Sequence, residues 1–299
     1  MMRWAAILAG VAVLAAAILF YATIPEPPPA VAVPAHDVDL QNGERLFHIG
    51  GCISCHAPDG PDDTVPSGGA ALGTHVATFY PPNLTPDPET GIGEWSETDF
   101  LVAMHYGLSP DNRHYVPAFP YMHYARMPAS DVLDLRGHLM SLEPVRSEAR
   151  VPDFPLGLPL EWLARRATGL WKRLAFSPEP FEPDPSRNPA WNRGAYLVNG
   201  PGHCGECHTP RNLLMIPKAD EHFAGGPHPE GEGTVPSLRN LIGRDRYKDA
   251  EDLALALQFG ETFGYEDISS GGMGSVQMNV SRLPPEDIAA IAEYLVSLE

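Results

Sequence analysis

Two short stretches of the sequence combine cysteine and histidine in the same pattern. Residues 52–56 read CISCH and residues 204–208 read CGECH, and together they hold all 4 cysteines of the 299-residue chain. On one turn of helix, positions i, i+3 and i+4 lie on the same face, so each stretch presents two thiols and an imidazole together. This is the pattern for covalent attachment of a c-type haem, with the histidine as the proximal ligand of the iron. The residues predicted to bind two haem c groups are Cys52, Cys55, His56, Cys204, Cys207 and His208.

Three other uses of cysteine fit the sequence less well. A structural zinc site needs closely spaced pairs of ligands, whereas the two motifs lie in different halves of the chain. A redox dithiol of the thioredoxin type expects a βαβ context, but glycine- and proline-rich sequence follows both motifs. A disulfide framework belongs to short secreted chains. Haem attachment is therefore the favoured interpretation.

Composition limits the fold and the partners. The length suggests about two domains, and 33 prolines with 28 glycines indicate many turns and extended segments between short helices. The formal net charge of −18 argues against nucleic acid as a partner, because phosphate binding needs a basic face. An acidic surface can steer a basic partner or simply keep the protein soluble.

The N-terminal segment is long and apolar. From Trp4 to Ile24 it carries no charge, and about 20 apolar residues span a bilayer, whereas the core of a signal peptide has roughly 7–15. We therefore expect an uncleaved anchor rather than a cleaved signal. Arg3 precedes the span and Glu26 follows it, which places the N-terminus in the cytoplasm. The predicted arrangement is a single-pass protein of a bacterial inner membrane, with its remaining residues in the periplasm.

The order of landmarks in the first half recurs in the second half. Each haem motif follows a predicted helix with an internal glycine, Gly43 or Gly194, which we expect to mark close contact with another helix. A second predicted helix, from Thr98 to Tyr106, has Ser96 as its cap and Gly107 as its stop. Such self-similarity indicates a duplicated unit. We predict an anchor at 1–24, a proline-rich linker at 25–38, a first domain at 39–145, an interdomain linker at 146–190 and a second domain at 191–299.

Each iron needs a ligand on the face opposite its histidine. A methionine there favours electron transfer, whereas an open position favours ligand binding or chemistry. Met127 and Met273 each lie shortly before the last helix of a half, and we predict them as the sixth ligands. The competing donors are Met122, Met278, Met104, His105, His114, His123, His222 and His228.

Two loop prolines lie where a carbonyl group is useful. The carbonyls of Pro82 and Pro236 are placed to accept the N–H of the proximal imidazoles, a contact that fixes ring orientation. The alternative is that they are ordinary loop residues.

Longer strings of sequence resemble a known group of proteins. They resemble the class I cytochrome c fold and, within it, the multihaem cytochrome c subunits of periplasmic membrane-bound dehydrogenases for alcohols, gluconate and aldehydes. The strings are PNLTPD at 82–87, TGIG at 90–93, PAFPY at 117–121, RGAYLV at 193–198 and HCGECHTPRN at 203–212. The resemblance extends over nearly all of the chain from Gly43 onward.

The resemblance implies an all-α fold with two tandem class I cytochrome c domains. It implies covalent haem at the four cysteines, His56 and His208 as proximal ligands, and Met127 and Met273 as axial ligands. The better-known alcohol and gluconate dehydrogenase subunits carry a third haem domain, whereas this sequence has two motifs, so we do not carry over a quinone-reducing role.

The expected function is electron transfer rather than catalysis. The implied partner is a periplasmic catalytic subunit of the flavin, quinoprotein or molybdenum type, which passes electrons through this chain to a quinone, a cytochrome or an oxidase. The alternatives are a dihaem oxidoreductase with its own site for a sulfur compound or peroxide, and a freestanding tethered carrier.

Overall fold

The computed structural model describes residues 2–24, 30–58, 64–69, 71–74, 77–154, 160–229, 233–244, 246–262, 266–267 and 272–299. Over these residues the chain is mostly helical. Parts of both predicted linkers, 25–29 and 155–159, lie outside the described residues. The helices of the first half are α1 (Met2–Ala22), α2 (Leu40–Ile49), α3 (Cys52–His56), α4 (Glu97–Tyr106), α5 (Tyr121–Tyr124) and α6 (Ala129–Met140). Those that follow are α7 (Glu161–Ala175), α8 (Pro189–Asn199), α9 (Gly205–His208), α10 (Ala250–Phe259), α11 (Gly272–Val280) and α12 (Pro285–Val296).

Short antiparallel ladders interrupt the loops between helices. Each described ladder joins two-residue strands, and Leu72 lies opposite Phe79 in the first of them. The pairs are β1 (Leu72–Gly73) with β2 (Thr78–Phe79), β3 (Gly226–Pro227) with β4 (Thr234–Val235), and β5 (Glu261–Thr262) with β6 (Glu266–Asp267). The expectation of an all-α fold therefore holds for the main elements, while these ladders brace the glycine-rich loops.

In each half, the helix that precedes the haem motif crosses the last helix at a glycine. A Cβ atom on Gly43 of α2 would overlap the backbone carbonyl of Asp134 in α6, and one on Gly194 of α8 would overlap that of Ala290 in α12. The predicted close contacts are confirmed. Because no side chain separates the two backbones, each pair of helices forms a tight crossing that supports the loop carrying the haem motif.

The helix after each long loop begins and ends as its sequence predicts. Ser96 forms a capping box with Asp99 at the start of α4, and Gly107 ends that helix in the left-handed conformation with φ 57°. Gly260 ends α10 in the same way with φ 80°. Glycine adopts this conformation without the steric cost that other residues incur.

The hydrophobic core joins both halves. One connected cluster of buried side chains contains residues of both halves. Examples, each at most 2% exposed, are Leu46 and Leu101 from the first half, and Leu197 and Ile288 from the second. The two repeated sets of helices therefore pack directly against each other. The predicted division into domains at 39–145 and 191–299 stays a prediction.

Helix α1 contains an apolar span, Trp4–Ala22, that is long enough to cross a membrane, and none of it is buried inside the protein. Its last turn contacts α7, the helix between the two halves. The rings of Phe20 and Trp162 lie 6.4 Å apart, and a Cβ on Gly169 would lie 3.4 Å from the carbonyl oxygen of Thr23.

Candidate haem-binding sites

The first motif forms a short helix whose histidine is held by a distant carbonyl. Gly51 adopts the left-handed conformation with φ 57° and turns the chain into α3. The Nδ1 atom of His56 lies 2.7 Å from the carbonyl oxygen of Pro82. Since a carbonyl oxygen only accepts, Nδ1 carries the proton and the lone pair of Nε2 is left for a metal.

The second motif repeats this arrangement. Its helix, α9, starts one residue after Cys204, and the Nδ1 atom of His208 lies 2.8 Å from the carbonyl oxygen of Pro236. His208 is 6% exposed. Both predicted proximal histidines thus have the tautomer and the fixed orientation that an iron ligand needs.

Backbone hydrogen bonds around the two motifs also match. The amide of Gly68 donates to the carbonyl of His56 over 2.9 Å, and that of Gly225 donates to the carbonyl of His208 over 2.8 Å. Each bond ties the loop after the motif to the end of the motif helix. This equivalence of detailed contacts supports duplication more directly than the order of helices does.

The electrostatic environment favours haem attachment over a redox dithiol. Burial raises the pKa of the leading thiols, Cys52 and Cys204, to about 12 in each case, whereas redox-active CxxC sites need a lowered pKa. Burial lowers the pKa of His56 to about 4, against the opposing effect of its hydrogen bond to Pro82. The imidazole is therefore neutral near pH 7, as a metal ligand must be.

The residues just before the two motifs contact each other. The Nε2–H of His203 donates to the carbonyl oxygen of Gly50 over 3.1 Å. The Tyr124 hydroxyl lies 3.4 Å from the same oxygen, and its ring stacks edge-on against His203 with centroids 5.8 Å apart. A Cβ on Gly202 would lie 3.3 Å from the side chain of Ile49. We call this contact region, formed by residues 49–50, 124 and 202–203, the inter-motif seam.

A half-buried acidic residue, Glu206, lies inside the second motif and was not predicted from the sequence. Glu206 accepts from His123 Nε2 over 3.1 Å and forms a short ion pair with Arg211. The Nδ1 atom of His123 faces the carbonyl oxygen of Asn199 at 2.9 Å. Both ring nitrogens of His123 therefore face acceptor oxygens, and the ring is fixed between Glu206 and Asn199. The sequence does carry one signal for this contact. Glu206 lies between Cys204 and Cys207, where a carboxylate near a predicted haem needs a positively polarised partner.

The pKa of Glu206 reflects these partners. Burial alone would raise it, but the hydrogen bond and charge of His123 and the charge of Arg211 outweigh burial and lower the pKa to about 2. Because His123 belongs to α5 of the first half, this ion pair connects the two halves at the second motif. Asn279 of α11 makes a comparable link to the first motif, donating to Ser54 Oγ over 2.8 Å.

Most of the histidines considered as sixth ligands have other partners. His123 binds Glu206 and Asn199, and His114 packs against α7, with Nδ1 3.4 Å from Lys172 Nζ. His222 has Nε2 3.0 Å from Asn199 Oδ1 and Nδ1 3.2 Å from Thr209 Oγ1. These three rings are fixed by protein groups. His228 lies near Gly272, where a Cβ would be 3.8 Å from its Nε2.

His105 differs from the other candidates. Its ring hydrogen-bonds the backbone of Met127, and its buried Nε2 atom has no partner among the described residues. Among the histidines considered as sixth ligands, it is therefore the one with a buried ring nitrogen that no described residue hydrogen-bonds, a property that its Nε2 shares with Nδ1 of His48.

The two predicted methionine ligands do not occupy matching positions. Met127 is 1% exposed and lies two residues before α6, and the residue two before α12 is Leu283. Met273 lies at the start of α11, well before α12, and is half-buried. Met273 therefore lies farther from the last helix of its half than Met127 does, because α11 occupies a stretch where the first half has only the single turn α5. The ligand roles of both residues stay predictions.

Comparison with known proteins identifies the family. Residues 192–299 match the family model described as Cytochrome c. A diheme cytochrome c-type protein of Cereibacter sphaeroides is 43% identical over 260 residues, which cover 86% of this chain and 85% of that protein. The chain belongs to the cytochrome c family. The resemblance found in the sequence is confirmed.

Other relatives are subunits of dehydrogenases. A nicotinate dehydrogenase subunit from Pseudomonas putida is 39% identical over 263 residues, covering 87% of this chain and 21% of that protein. The cytochrome c subunit of a quinone alcohol dehydrogenase from Gluconacetobacter polyoxogenes is 36% identical over 273 residues, covering 87% and 56%. The chain spans only part of the length of these dehydrogenase subunits.

Proposed function

We propose that the chain is a membrane-anchored dihaem cytochrome c that transfers electrons from a periplasmic dehydrogenase catalytic subunit to the respiratory chain. The observation that carries this proposal is the pair of motif histidines, His56 and His208, each with Nδ1 bonded to a proline carbonyl and Nε2 directed away from that bond. Each histidine ends a short motif helix. That helix begins at Cys52 in the first motif and directly after Cys204 in the second. The two sites therefore fit two haem c groups.

Within each site the chain's own residues hold and orient the group. Cys52, Cys55, Cys204 and Cys207 are the attachment points, and Met127 and Met273 are the predicted sixth ligands. Haem c, when bound, supplies one-electron transfer between Fe(III) and Fe(II), while the protein tunes its potential through ligation and burial. The Pro82 and Pro236 carbonyls increase the basicity of the proximal imidazoles.

The inter-motif seam brings together the residues that would hold the two haem groups. The residues preceding Cys52 and Cys204 touch through His203 and Gly50, so two haems held at these motifs would be attached in the same region, which would suit electron exchange between them. A Cβ on Gly50 would lie 3.3 Å from Cys52 Sγ and 3.7 Å from the carbonyl oxygen of Pro201. The first haem motif therefore lies close to the loop that leads into the second.

The relatives suggest the kind of partner. Subunits named for a nicotinate dehydrogenase and a quinone alcohol dehydrogenase are 39% and 36% identical to this chain, in alignments that cover 87% of its length. By this likeness the electron donor is the catalytic subunit of a dehydrogenase of the flavin, quinoprotein or molybdenum type, and the acceptor is a quinone, a cytochrome or an oxidase. The apolar span of α1 anchors the chain in the inner membrane, with the haem sites in the periplasm.

The first test is to purify the tagged chain in mild detergent from its native membranes, measure haem per chain and identify copurifying chains by mass spectrometry. We expect two haems per chain and a stoichiometric dehydrogenase catalytic subunit. Two double variants, each without the cysteines of one motif, should each retain one haem per chain. They are Cys52→Ser with Cys55→Ser and, separately, Cys204→Ser with Cys207→Ser. A chain that purifies alone and whose haem spectrum changes on adding carbon monoxide would contradict the proposal in favour of a dihaem enzyme.

A further inference from the structure

Helix α7 has its polar and apolar faces reversed relative to an ordinary surface helix. One stripe along the helix is apolar, and all four of its side chains are exposed. They have the helical spacing i, i+4, i+7 and i+11 and are Leu163, Ala167, Leu170 and Leu174. The exposed fractions of Leu163 and Leu174 are 55% and 68%. A helix on the surface of a water-soluble protein normally turns such a stripe toward the core.

The opposite stripe of α7 is polar and faces the protein. Its residues, Glu161, Arg165, Thr168 and Lys172, have the same spacing. Arg165 donates to the carbonyl oxygen of His114 over 3.0 Å, Lys172 donates to the carbonyl oxygen of Tyr106, and Thr168 is 7% exposed. Because specific polar contacts fix this side of the helix against the protein, its leucines necessarily face outward.

The position of α7 indicates what covers the outward face. Its first turns contact the end of α1: Arg166 donates to the carbonyl oxygen of Phe20 and places its guanidinium 4.5 Å above the Phe20 ring. Trp162, which is 61% exposed, lies beside the same ring. Aromatic and arginine side chains at the end of an apolar span are typical of the membrane–water interface.

A neighbouring loop extends the apolar face. The indole N–H of Trp171 donates to the carbonyl oxygen of Leu214 over 2.7 Å and so fastens this loop to α7. Leu213 is fully exposed and Leu214 is 59% exposed. Together the outward stripe of α7 and residues 213–214 form one apolar surface beside the end of α1, which we call the α7 surface.

We propose that the α7 surface lies in the lipid bilayer interface, with α7 parallel to the membrane as a second contact beside the α1 anchor. An amphipathic helix buries its apolar face at the boundary between headgroups and acyl chains, and here the haem-bearing halves occupy its polar side. The inference rests on the anchoring by α1 proposed above. It implies that both haem sites are held in a fixed orientation and height over the bilayer, because α7 connects the two halves in sequence.

Site-directed spin labelling of the full-length holoprotein tests this. In the holoprotein the native cysteines are used for haem attachment. A cysteine introduced by Leu170→Cys can therefore be labelled selectively with a nitroxide. The unsubstituted chain, treated in the same way, gives the background of unspecific labelling. Glu251→Cys, at an exposed position of α10, is the matched control. In vesicles of phosphatidylethanolamine and phosphatidylglycerol, we expect the Leu170 label to collide several-fold less with a water-soluble nickel reagent, and more with oxygen, than the Glu251 label does.

Equal nickel accessibility at the two positions would overturn the proposal. Protection of the Leu170 label that appears only after the dehydrogenase catalytic subunit is added would also overturn it and assign the surface to that protein. Vesicle flotation and carbonate extraction report on α1 separately. If the chain does not float with vesicles, the proposed anchoring by α1 is wrong. If it floats but the Leu170 label is exposed to water, only the proposal for the α7 surface is wrong.

Discussion

The ion pair of Glu206 should make stability depend on pH in a defined window. The pKa of Glu206 falls from an ordinary 4.5 to about 2 in the folded protein. Since one pKa unit corresponds to about 1.4 kcal/mol, the charged carboxylate stabilises the fold by about 3 kcal/mol. A lowered folded-state pKa means that this contribution is complete above the unfolded value of 4.5 and is lost as the pH falls through about 2.

Glu206→Gln removes this contribution while keeping the size of the side chain. At pH 7 we expect the variant to unfold with a free energy about 3 kcal/mol below that of the unsubstituted chain, because Arg211 then lacks its counter-ion and His123 Nε2 no longer faces a carboxylate. Near pH 2 the difference should fall to a few tenths of a kcal/mol, since about half of the native carboxyl groups are then protonated. The assay is guanidinium unfolding of the holoprotein in detergent, followed by far-ultraviolet circular dichroism across this pH range.

Glu251→Gln is the control, because Glu251 is an exposed residue of α10. It should change the unfolding free energy by less than about 0.5 kcal/mol at any pH. A Glu206→Gln deficit that is the same at pH 7 and near pH 2 would show that packing, not charge, is responsible. A variant as stable as the unsubstituted chain at pH 7 would refute the role of the ion pair altogether.

Three further substitutions test the ligands and the helix crossing. Met127→Leu should abolish the methionine-to-iron charge-transfer absorption of one haem while costing less than about 1.5 kcal/mol, since Leu283 already occupies the matching position of the second half; an unchanged spectrum would make Met127 a core residue. Met273→Leu should remove the corresponding absorption of the other haem and lower its potential in a redox titration, and retention of both would exclude Met273. Arg193→Ala should lower the unfolding free energy by about 1.5–3 kcal/mol, because Asp287 is 5% exposed and loses both of its 2.8 Å bonds to Arg193; a loss below about 1 kcal/mol in chemical denaturation, the size typical of an exposed pair, would contradict this.

The sequence predicts well those features that depend on local chemistry. The helix of residues 97–106 follows from a capping box and a terminal glycine, both of which act within a few residues. The crossings at Gly43 and Gly194 follow from glycine at the same place in two repeated helices. The carbonyls of Pro82 and Pro236 lie beside the motif histidines, as the order of landmarks along the sequence suggests.

Features that depend on loop length or on contacts between the halves are not predictable in this way. Order along the chain matches Met273 with Met127, but an added helix, α11, shifts the place of Met273 relative to α12. His123 is a reasonable iron ligand by sequence, and only the packing of the halves shows that Glu206 is its partner. Likewise, the periodicity of α7 indicates an amphipathic helix but does not reveal which face the protein covers.

The reversed packing of α7 has a consequence for anyone preparing the protein in water. Removing α1 is the usual way to obtain a soluble fragment of a protein with one N-terminal apolar helix, yet here it would uncover the end of α7 beside Trp162 and leave Leu163, Leu170 and Leu174 exposed. Large exposed apolar patches promote self-association. A crystallisation-grade fragment therefore needs polar replacements along that stripe as well as the loss of the N-terminal helix.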